Sequence, residues 1–487
     1  MEGTNRRKMT EEKYLIGLDL GTSAVKGVLM SANGAVIAKE KAQTDYITGE
    51  GGIIEFDAEA FYLLTADVIR CLAKALPQGA SLAGLSMVTA SGNLLLADNF
   101  GKPIINAVSW MDTRAEDEAQ TVFGGLNTAE IHQITGWPFL NIFPLAQLCW
   151  LKCHRPEMLQ QAEKICMSTD YINFRLTGEW GIDPSTATTF YLQDQKTAAW
   201  HRPYLEKLGI PVGKLPPIGE SGTVLGRITP AAAAQTGLPA GTPVVLGSFD
   251  HPGAARGSGV FDEGQLLLSC GTSWVGFYPL RDRDTAVRQE LLTDPFLQKE
   301  GLWGAMFSLG GISNYVEKYI CGYLSASPER YREFDRLAAS SRTGANGLLI
   351  NPLRYNGRDE LSNQSKADIA RAVMEGTVFL LRERIERLKN AGMRADTVNM
   401  VGGPSETAPW PQIIADVLGS MVSVVNGSCA GAVGAAIFAG LGTGIYKSER
   451  DAFNKMDFEK RVIIPDIQAH EDYDRIYCRF ADRYLLC

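Results

Sequence analysis

Two short segments, one in each half of the chain, place a Gly-Thr-Ser turn at the end of an apolar strand. They lie at 21–23, within DLGTSAVKG, and at 271–273, within CGTSW. Such turns present backbone N–H groups and hydroxyls to phosphate oxygens. Asp19 ends the first strand, where a carboxylate can hold hydrated Mg²⁺, and Lys26 can add a positive charge. Either turn alone is equally typical of an ordinary hairpin, but the pair indicates two phosphate grips.

Two further segments could complete a phosphoryl-transfer site. GSFDHPGAARGSG places Asp250 at a strand-to-helix turn, where a carboxylate can accept the proton of an attacking hydroxyl. The same position suits a helix N-cap, for which aspartate is a favoured residue. VGGPSETAPW, at 401–410, joins a strand to a helix through two glycines. Bare backbone there can accommodate an adenine ring or a ribose, although Gly-Gly-Pro is also a common turn.

A candidate sugar-binding segment lies earlier, at WMDTR. It sets Trp110, Asp112 and Arg114 close together at the end of an apolar stretch. Charged groups form strong hydrogen bonds to sugar hydroxyls, and an aromatic face covers C–H groups. An exposed Asp-Arg pair at a helix start explains the same letters equally well. Because G-x-x-x-x-G-K-[ST] and G-x-S-x-G are both absent from the sequence, a P-loop kinase and the usual hydrolase elbow are excluded.

The elements predicted around these residues alternate between strands and helices. Helices are expected near 57–76, 113–123, 144–153, 168–176, 311–324, 365–391, 409–419 and 430–440, while 181–199 is expected to be loop. Asn33-Gly34 is typical of a two-residue hairpin. The strand-turn-strand layout around residue 21 recurs around residue 271. This repeat predicts two α/β domains, divided near residue 246, with a cleft between them.

The amino-acid composition limits which binding partners and which cellular compartment are expected. The 487 residues include 47 Lys and Arg against 55 Asp and Glu, for a net charge of −8. A mildly acidic chain without a basic tract gives no reason to expect nucleic acid or an anionic membrane as a partner. Nine scattered cysteines without a C-x-x-C pair predict reduced thiols and a cytoplasmic location. Residues 421–446 are uncharged but rich in Ala and Gly, which predicts a closely packed buried helix rather than a membrane span.

The ordered set of motifs resembles the FGGY carbohydrate kinases of the actin-like, hexokinase-like ATPase superfamily. The resemblance covers roughly residues 13–446 and rests on DLGTSAVKG, NAVSWMDTRA, STDYINFRLTG, DPSTATT, LGSFDHPGAARGSG, LLSCGTSW and VGGPSETAPWPQIIADVLG. It implies an α/β fold of two ribonuclease-H-like domains that flank a central cleft. Residues 13–246 are then expected to bind the sugar and carry the first phosphate loop. Residues 247–487 are expected to bind ATP and to carry the general base.

The resemblance also implies roles for individual residues. Asp250 matches the family's general base, and Asp19 and Asp250 are the expected carboxylates at Mg²⁺. The expected sugar contacts are Trp110, Asp112, Arg114, Asn93 and His251. The expected ATP and phosphate contacts are Thr22, Ser23, Lys26, Gly271, Thr272, Ser273, Gly310, Gly311, Gly402 and Gly403.

Two departures from the family pattern bear on the substrate. Residues 89–93 read Thr-Ala-Ser-Gly-Asn where glycerol kinases carry Gln-Arg-Glu and xylulokinases Gln-Met-His. The change argues against glycerol and leaves xylulose open. His251 stands where Asn or Gln is common in the family. It lies close enough in sequence to Asp250 to touch the sugar or change the pH profile, although ordinary solvation explains it as well.

The resulting expectation is ATP- and Mg²⁺-dependent phosphorylation of a small sugar or polyol, with a ketopentose such as xylulose first. Another polyol, a sugar acid or a signalling carbohydrate is the alternative substrate. A non-catalytic sugar sensor is less favoured, because both carboxylates and both turns are intact. A chaperone-like ATPase is less favoured, because it would share the phosphate turns but lack WMDTR and a base positioned for a sugar hydroxyl. The family often forms dimers, so a homodimer is included among the expected partners, whereas nucleic acid and membrane are not.

Overall fold

The computed structural model describes residues 12–271, 273–324, 327–354, 361–456, 458 and 460–485. The chain forms two compact units. The first contains the described residues of Met1–Gly257 and Gly431–Phe458, and the second those of Ser258–Ala430 and Glu459–Cys487. A segment from late in the chain therefore returns to the first unit. The division of labour between 13–246 and 247–487 stays a prediction.

Strands and helices alternate along both units. The strands are β1 (Lys13–Leu20), β2 (Ala24–Ser31), β3 (Val36–Gln43), β4 (Ile47–Thr48), β5 (Ile54–Phe56), β6 (Ser81–Thr89), β7 (Leu95–Ala97), β8 (Ala107–Val108), β9 (Lys164–Cys166), β10 (Gln193–Asp194), β11 (Ala199–Trp200), β12 (Val224–Arg227), β13 (Pro243–Phe249), β14 (Gly264–Cys270), β15 (Trp274–Leu280), β16 (Leu292–Leu297), β17 (Leu302–Ser308), β18 (Ala395–Gly402), β19 (Val422–Val425) and β20 (Lys460–Ile463). The α-helices are α1 (Ala58–Lys74), α2 (Glu118–Phe123), α3 (Thr128–Thr135), α4 (Pro144–His154), α5 (Pro156–Gln161), α6 (Ser168–Thr177), α7 (Pro184–Thr188), α8 (Arg202–Leu208), α9 (Pro230–Thr236), α10 (Asp250–Ser258), α11 (Arg283–Arg288), α12 (Ile312–Tyr319), α13 (Arg330–Ser340), α14 (Lys366–Asn390), α15 (Pro409–Leu418), α16 (Ala430–Gly442), α17 (Glu449–Lys455) and α18 (Ile467–Tyr484).

The main sheet of the first unit has the order β12-β13-β6-β1-β2-β3. Strands β1, β2 and β3 form an antiparallel meander, and β6 and β13 run parallel to β1. A hairpin joins β2 to β3 as predicted, but residues 32–35 separate the two strands, so the expected two-residue Asn33-Gly34 turn is wrong in length. Gly34, with a φ of +89°, is the left-handed residue of this longer turn. Because β1, β6 and β13 are parallel neighbours, their carboxyl ends lie at one edge of the sheet.

The second unit repeats this plan. Its sheet has the order β16-β17-β15-β14-β18-β19-β20. Strands β14, β15 and β17 form the antiparallel meander, and β18 and β19 run parallel to β14. Five strands of each sheet share their order and sense, and the second sheet adds the antiparallel edge strand β16. The shared five-stranded plan confirms the internal repeat and the predicted α/β class with two ribonuclease-H-like domains. An edge strand, β12 or β20, closes each parallel set in the antiparallel sense.

Helix α16 is the buried Ala/Gly helix predicted from residues 421–446. A side chain at Gly17 of β1 would collide with the backbone of Ala432 and Ala436, and one at Gly434 would collide with the backbone of Gly253 in α10. Glycine thus lets α16 lie directly on β1 and on α10. Within the described ranges, no helix is both long enough and apolar enough to cross a membrane.

Two predicted elements differ from the structure. The expected loop at 181–199 contains α7, because the Asp183 carboxylate accepts hydrogen bonds from the backbone N–H and the hydroxyl of Thr186, and Pro184 occupies the first turn. Five residues are too few for helical periodicity to reveal. The expected helix at 311–324 is α12 followed by a π-helical turn at Ile320–Leu324.

Candidate active site

Two carboxylates stand at the carboxyl edge of the first sheet. Asp19 lies one residue before the end of β1, and Asp250 follows β13 directly as the first residue of α10. The last residues of β1 and β13 both pair with Thr89 of β6, which places the two strand ends on either side of one residue. The Asp19 side chain is 15% exposed and that of Asp250 25% exposed. Both carboxylates are therefore reachable but poorly hydrated.

Lys26 and His251 provide the positive partners of these carboxylates. The Lys26 Nζ lies 3.8 Å from Asp19 Oδ2, and the His251 Nε2 lies 3.8 Å from Asp250 Oδ1. The backbone N–H of His251 donates to Asp250 Oδ1 at 2.7 Å. The His251 ring packs edge-on against Phe249, with centroids 5.3 Å apart. The histidine therefore borders the expected base.

Burial raises the pKa of both carboxyl groups. For Asp19 the pKa rises from 3.8 to about 6, because desolvation and the charge of Asp250 outweigh the opposing effects of Lys26 and His251. Burial also raises the pKa of Asp250, against the lowering effects of His251 and Lys26. Two poorly hydrated carboxylates that repel each other favour a cation between or beside them.

These donors fit Mg²⁺. The ion prefers oxygen ligands and usually keeps several waters, with one or two carboxylates and substrate phosphates completing its shell. Across the part of the chain that the structure describes, no group of three or more His, Cys, Asp or Glu side chains forms a ready-made cage. That Asp19 and Asp250 hold Mg²⁺ together with water and phosphate stays a prediction, which the chemistry of these two carboxylates fits.

The first Gly-Thr-Ser turn connects β1 to β2 beside Asp19. The Gly21 N–H donates to the Ala24 carbonyl at 3.1 Å and closes the turn. The Trp110 Nε1–H donates to the Thr22 hydroxyl at 3.0 Å. Ser23 is exposed, and its carbonyl accepts a hydrogen bond from the Thr44 N–H at 3.2 Å. The expected phosphate turn is thus in direct contact with Trp110, one of the expected sugar contacts, which forms what we call the sugar-binding wall.

The expected sugar contacts separate into two places. Trp110, Asn93 and Thr22 line one small cavity. The Asn93 amide is already occupied: its nitrogen donates to the Ser168 hydroxyl at 3.0 Å, and its oxygen accepts from the Ser168 N–H at 2.7 Å. Asn93 therefore anchors the start of α6, and a role in sugar binding stays a prediction.

Asp112 and Arg114 belong to a neighbouring ion-pair network. The buried Asp112 accepts from the Ile54 N–H at 2.7 Å and pairs with Arg114 at 2.6 Å. Arg114 also pairs with Glu55 at 2.6 Å, and its guanidinium carbon lies 5.4 Å from the centre of the Trp150 ring. Arg114 lines a cavity of about 230 Å³ that Trp110 does not line. Arg114 thus lines a different cavity from Trp110, and contact of Asp112 and Arg114 with sugar stays a prediction.

The second Gly-Thr-Ser turn lies between β14 and β15 in the second unit. Thr272 lies outside the described residues, whereas the Gly271 N–H donates to the Ser273 carbonyl at 3.1 Å. The Gly311 N–H approaches the Ser273 hydroxyl at 3.4 Å, and the Ser313 hydroxyl donates to the Gly271 carbonyl at 2.7 Å. The turn is therefore held against the start of α12, which is where Gly310 and Gly311 lie.

The paired glycines at 402–403 lie beside that turn. Gly402 pairs with Cys270 in the β14–β18 register, and its φ is +95°. A side chain there would collide with the Cys270 carbonyl, so the close approach requires glycine. Gly403 begins a 3-10 turn that ends at Glu406. The structure thus groups the expected ATP contacts of this unit, apart from the undescribed Thr272, at one edge of its sheet.

Sequence analysis missed two residues at these sites. Gly431, near the start of α16, leaves so little room that a Cβ atom would lie 2.9 Å from the Asp19 carboxylate. The Tyr46 hydroxyl donates to the Thr22 carbonyl at 2.9 Å. The glycine-rich composition near 431 indicates close packing there. The sequence does not indicate that the packing partner is Asp19, 412 residues earlier. Nothing in the sequence connects Tyr46 to the turn.

The chain is similar over nearly its whole length to proteins named as sugar kinases. A xylulose kinase of Bacillus subtilis (strain 168) is 27% identical, over 97% of each chain. An autoinducer-2 kinase of Salmonella choleraesuis (strain SC-B67) is 30% identical, over 91% of this chain and 88% of its own. The crystal structure of ligand-bound xylulose kinase from Lactobacillus acidophilus superposes with a TM-score of 0.84 over 97% of each chain, at 22% identity, and so shares the fold.

The family models identify the chain. The N-terminal domain model of the FGGY family of carbohydrate kinases matches residues 14–257. The C-terminal domain model of the same family matches residues 266–443. Together with the two repeated α/β units and their glycine turns, these matches show that the chain is a carbohydrate kinase of the FGGY family.

Proposed function

We propose that this kinase transfers the γ-phosphoryl group of Mg·ATP to a hydroxyl of a small sugar or polyol, with Asp250 as general base. The observation that carries the proposal is the pair of partly buried carboxylates, Asp19 and Asp250, at one sheet edge beside the Thr22 turn. The proposal needs carboxylates for the metal and a carboxylate, Asp250, for the proton, and both Asp19 and Asp250 lie where a strand ends.

The proposed step uses these groups as follows. The substrate hydroxyl attacks the γ-phosphorus in line, a new P–O bond forms, and the bond to the bridging oxygen breaks to release ADP. The hydroxyl proton passes to the Asp250 carboxylate, which is ionised when the reaction begins. In the first unit, the Thr22 and Ser23 hydroxyls orient the phosphate oxygens. When bound by Asp19 and Asp250, Mg²⁺ supplies positive charge to the phosphates.

A ketopentose such as xylulose is the first substrate candidate. Residues 90–92 are small and uncharged, and a Cβ at Gly92 would lie 2.5 Å from the Phe143 ring and 3.5 Å from the Trp110 Cβ. An uncharged, aromatic-bordered surface suits a neutral sugar better than a sugar acid. Autoinducer-2 is the second candidate, because relatives named autoinducer-2 kinase reach 30% identity.

A substrate panel tests the proposal. ADP release by the purified protein is measured with ketopentoses, pentitols, tetritols, hexuloses, gluconate and autoinducer-2, and each product is identified by mass spectrometry. We expect one candidate to exceed the others in kcat/KM by at least about tenfold, because buried polar contacts discriminate strongly between sugars. ATP hydrolysis that no sugar accelerates would instead indicate a chaperone-like ATPase. Sugar binding without ATP turnover would indicate a sensor.

We also propose a cytoplasmic location and a homodimer. All eight cysteines of the described residues are free, and four of them are exposed: Cys71, Cys153, Cys321 and Cys478. Exposed free thiols are typical of a reducing compartment. The proposal of a homodimer rests only on the frequent dimerisation of FGGY kinases. Size-exclusion chromatography with light scattering tests it, and a single 53.0 kDa species would contradict it.

A further inference from the structure

Two aromatic side chains of the first unit, Trp110 and Tyr46, hydrogen-bond to Thr22. Trp110 Nε1–H donates to the Thr22 hydroxyl at 3.0 Å. The Tyr46 hydroxyl donates to the Thr22 carbonyl at 2.9 Å. Two aromatic residues thus fix both oxygens of one residue in the first phosphate turn.

In the hydrogen bond between Trp110 and Thr22, the chemistry of the two side chains fixes which group donates and which accepts. An indole N–H only donates, whereas a threonine hydroxyl has one proton and two acceptor lone pairs. When Trp110 occupies a lone pair of the Thr22 oxygen, the hydroxyl proton stays available to an acceptor such as a phosphate oxygen. The hydrogen bond also restricts rotation of the hydroxyl. Trp110 therefore orients the donor that Thr22 can offer.

The contact borders a polar cavity. Thr22, Trp110 and Thr44 line a space of about 10 Å³, enough for one oxygen-sized group. The Thr44 Oγ1 is buried there, and no described residue provides it with a hydrogen-bond partner. A buried hydroxyl without a partner, on a residue that lines the same cavity as Trp110, indicates that a water or a ligand hydroxyl completes this cavity. A ligand hydroxyl bound there can therefore act on the Trp110–Thr22 contact.

We propose that the Trp110–Thr22 hydrogen bond couples the sugar-binding wall to the first phosphate turn, with Trp110 acting as a positioning residue for the Thr22 hydroxyl. Tyr46 is the second positioning residue, because it holds the Thr22 carbonyl. This inference rests on the proposed kinase function. It adds that sugar contacts at Trp110 improve phosphate orientation, so that ATP turnover depends on sugar.

A double-mutant cycle tests the coupling. Trp110→Phe keeps an aromatic ring but removes the N–H, and Thr22→Val keeps the shape but removes the hydroxyl. We expect each to lower kcat/KM for ATP about three- to tenfold, the effect of one lost hydrogen bond. The double variant should be no worse than Thr22→Val alone, because Trp110 acts through Thr22. Thr22→Ser should restore most of the activity, and Tyr46→Phe should weaken ATP turnover without changing KM for the sugar.

Matched controls lie in the same unit. The Trp200 Nε1–H donates to the Pro216 carbonyl at 2.9 Å, and the Tyr446 hydroxyl donates to the Ala32 carbonyl at 3.0 Å. Trp200→Phe and Tyr446→Phe lose equivalent hydrogen bonds away from the site and should leave kcat/KM for ATP unchanged.

Two results would overturn the inference: effects of the single substitutions that multiply in the double variant, or a Trp110→Phe variant changed only in KM for the sugar. Calorimetric binding of Mg·ADP without sugar provides a second readout of the cycle. If the wild type phosphorylates no sugar, the proposed function fails, whereas the Mg·ADP cycle still reports whether Trp110 acts through Thr22.

Discussion

The substitution Asp19→Asn should stabilise the nucleotide-free protein while it removes kinase activity. The pKa of Asp19 is 3.8 in an exposed chain and about 6 in the fold. Because the folded state binds this proton more tightly, the associated stability is complete below about pH 4 and is lost as pH rises through about 6. Above that range, the buried charge costs about 3 kcal/mol. The pKa of about 6 already includes the favourable Lys26 ion pair at 3.8 Å, so this cost is the net one.

The expected gain for Asp19→Asn is therefore about 3 kcal/mol above neutral pH, or a rise in Tm of several degrees for a unit of this size. Thermal unfolding followed by circular dichroism, without Mg²⁺, measures the gain at about pH 7.5 and again near pH 5, where it should shrink because the wild-type carboxyl is largely protonated. Asp67→Asn, which removes a carboxylate 60% exposed on α1, is the control and should change little. A less stable Asp19→Asn variant, or a difference that does not vary with pH, would refute the reasoning.

Three further predictions concern the same sites. Gly431→Ala should raise the Mg²⁺ concentration needed for half-maximal activity, because the added methyl lies 2.9 Å from the Asp19 carboxylate; an unchanged Mg²⁺ titration would contradict this. Gly402→Ala should destabilise the protein by more than about 2 kcal/mol in urea unfolding, since φ is +95° and the Cys270 carbonyl blocks the methyl; equal stability would show that the turn can relax. kcat/KM for the sugar should fall as pH falls through the raised pKa of Asp250, because only the ionised carboxylate accepts a proton; a profile that rises toward acid would argue for a different base.

Most of the fold was predictable because its signals are local. The strand-turn-strand segments around residues 21 and 271 predict the internal repeat. The Ala/Gly composition of α16 predicts a closely packed helix, and the structure places it on Gly17. Carboxylates and glycines that follow parallel strands necessarily meet at one edge of a sheet. The sequence therefore indicated the positions of Asp19, Asp250 and the glycine turns well.

Side-chain pairing was much less predictable. WMDTR reads as one sugar-binding segment, but Asp112 and Arg114 are engaged with Ile54 and Glu55, more than 50 residues earlier in the chain, whereas Trp110 turns to Thr22. Contacts of this kind depend on which strand from elsewhere in the chain lies next to the segment. The spacing of residues within the segment does not indicate that neighbour. The short helix α7 escaped prediction for a different reason, because a cap and a proline stabilise five residues that show no periodicity.

The central claim is that Asp250 accepts the substrate proton. Its most direct test compares kcat of Asp250→Asn with that of the wild type on the best substrate of the panel, with Mg·ATP affinity measured in parallel by calorimetry. We predict a loss in kcat of about 10² to 10⁴, the usual effect of removing a general base, with Mg·ATP affinity reduced far less. A variant that turns over at close to the wild-type rate would contradict the account and remove Asp250 from the mechanism.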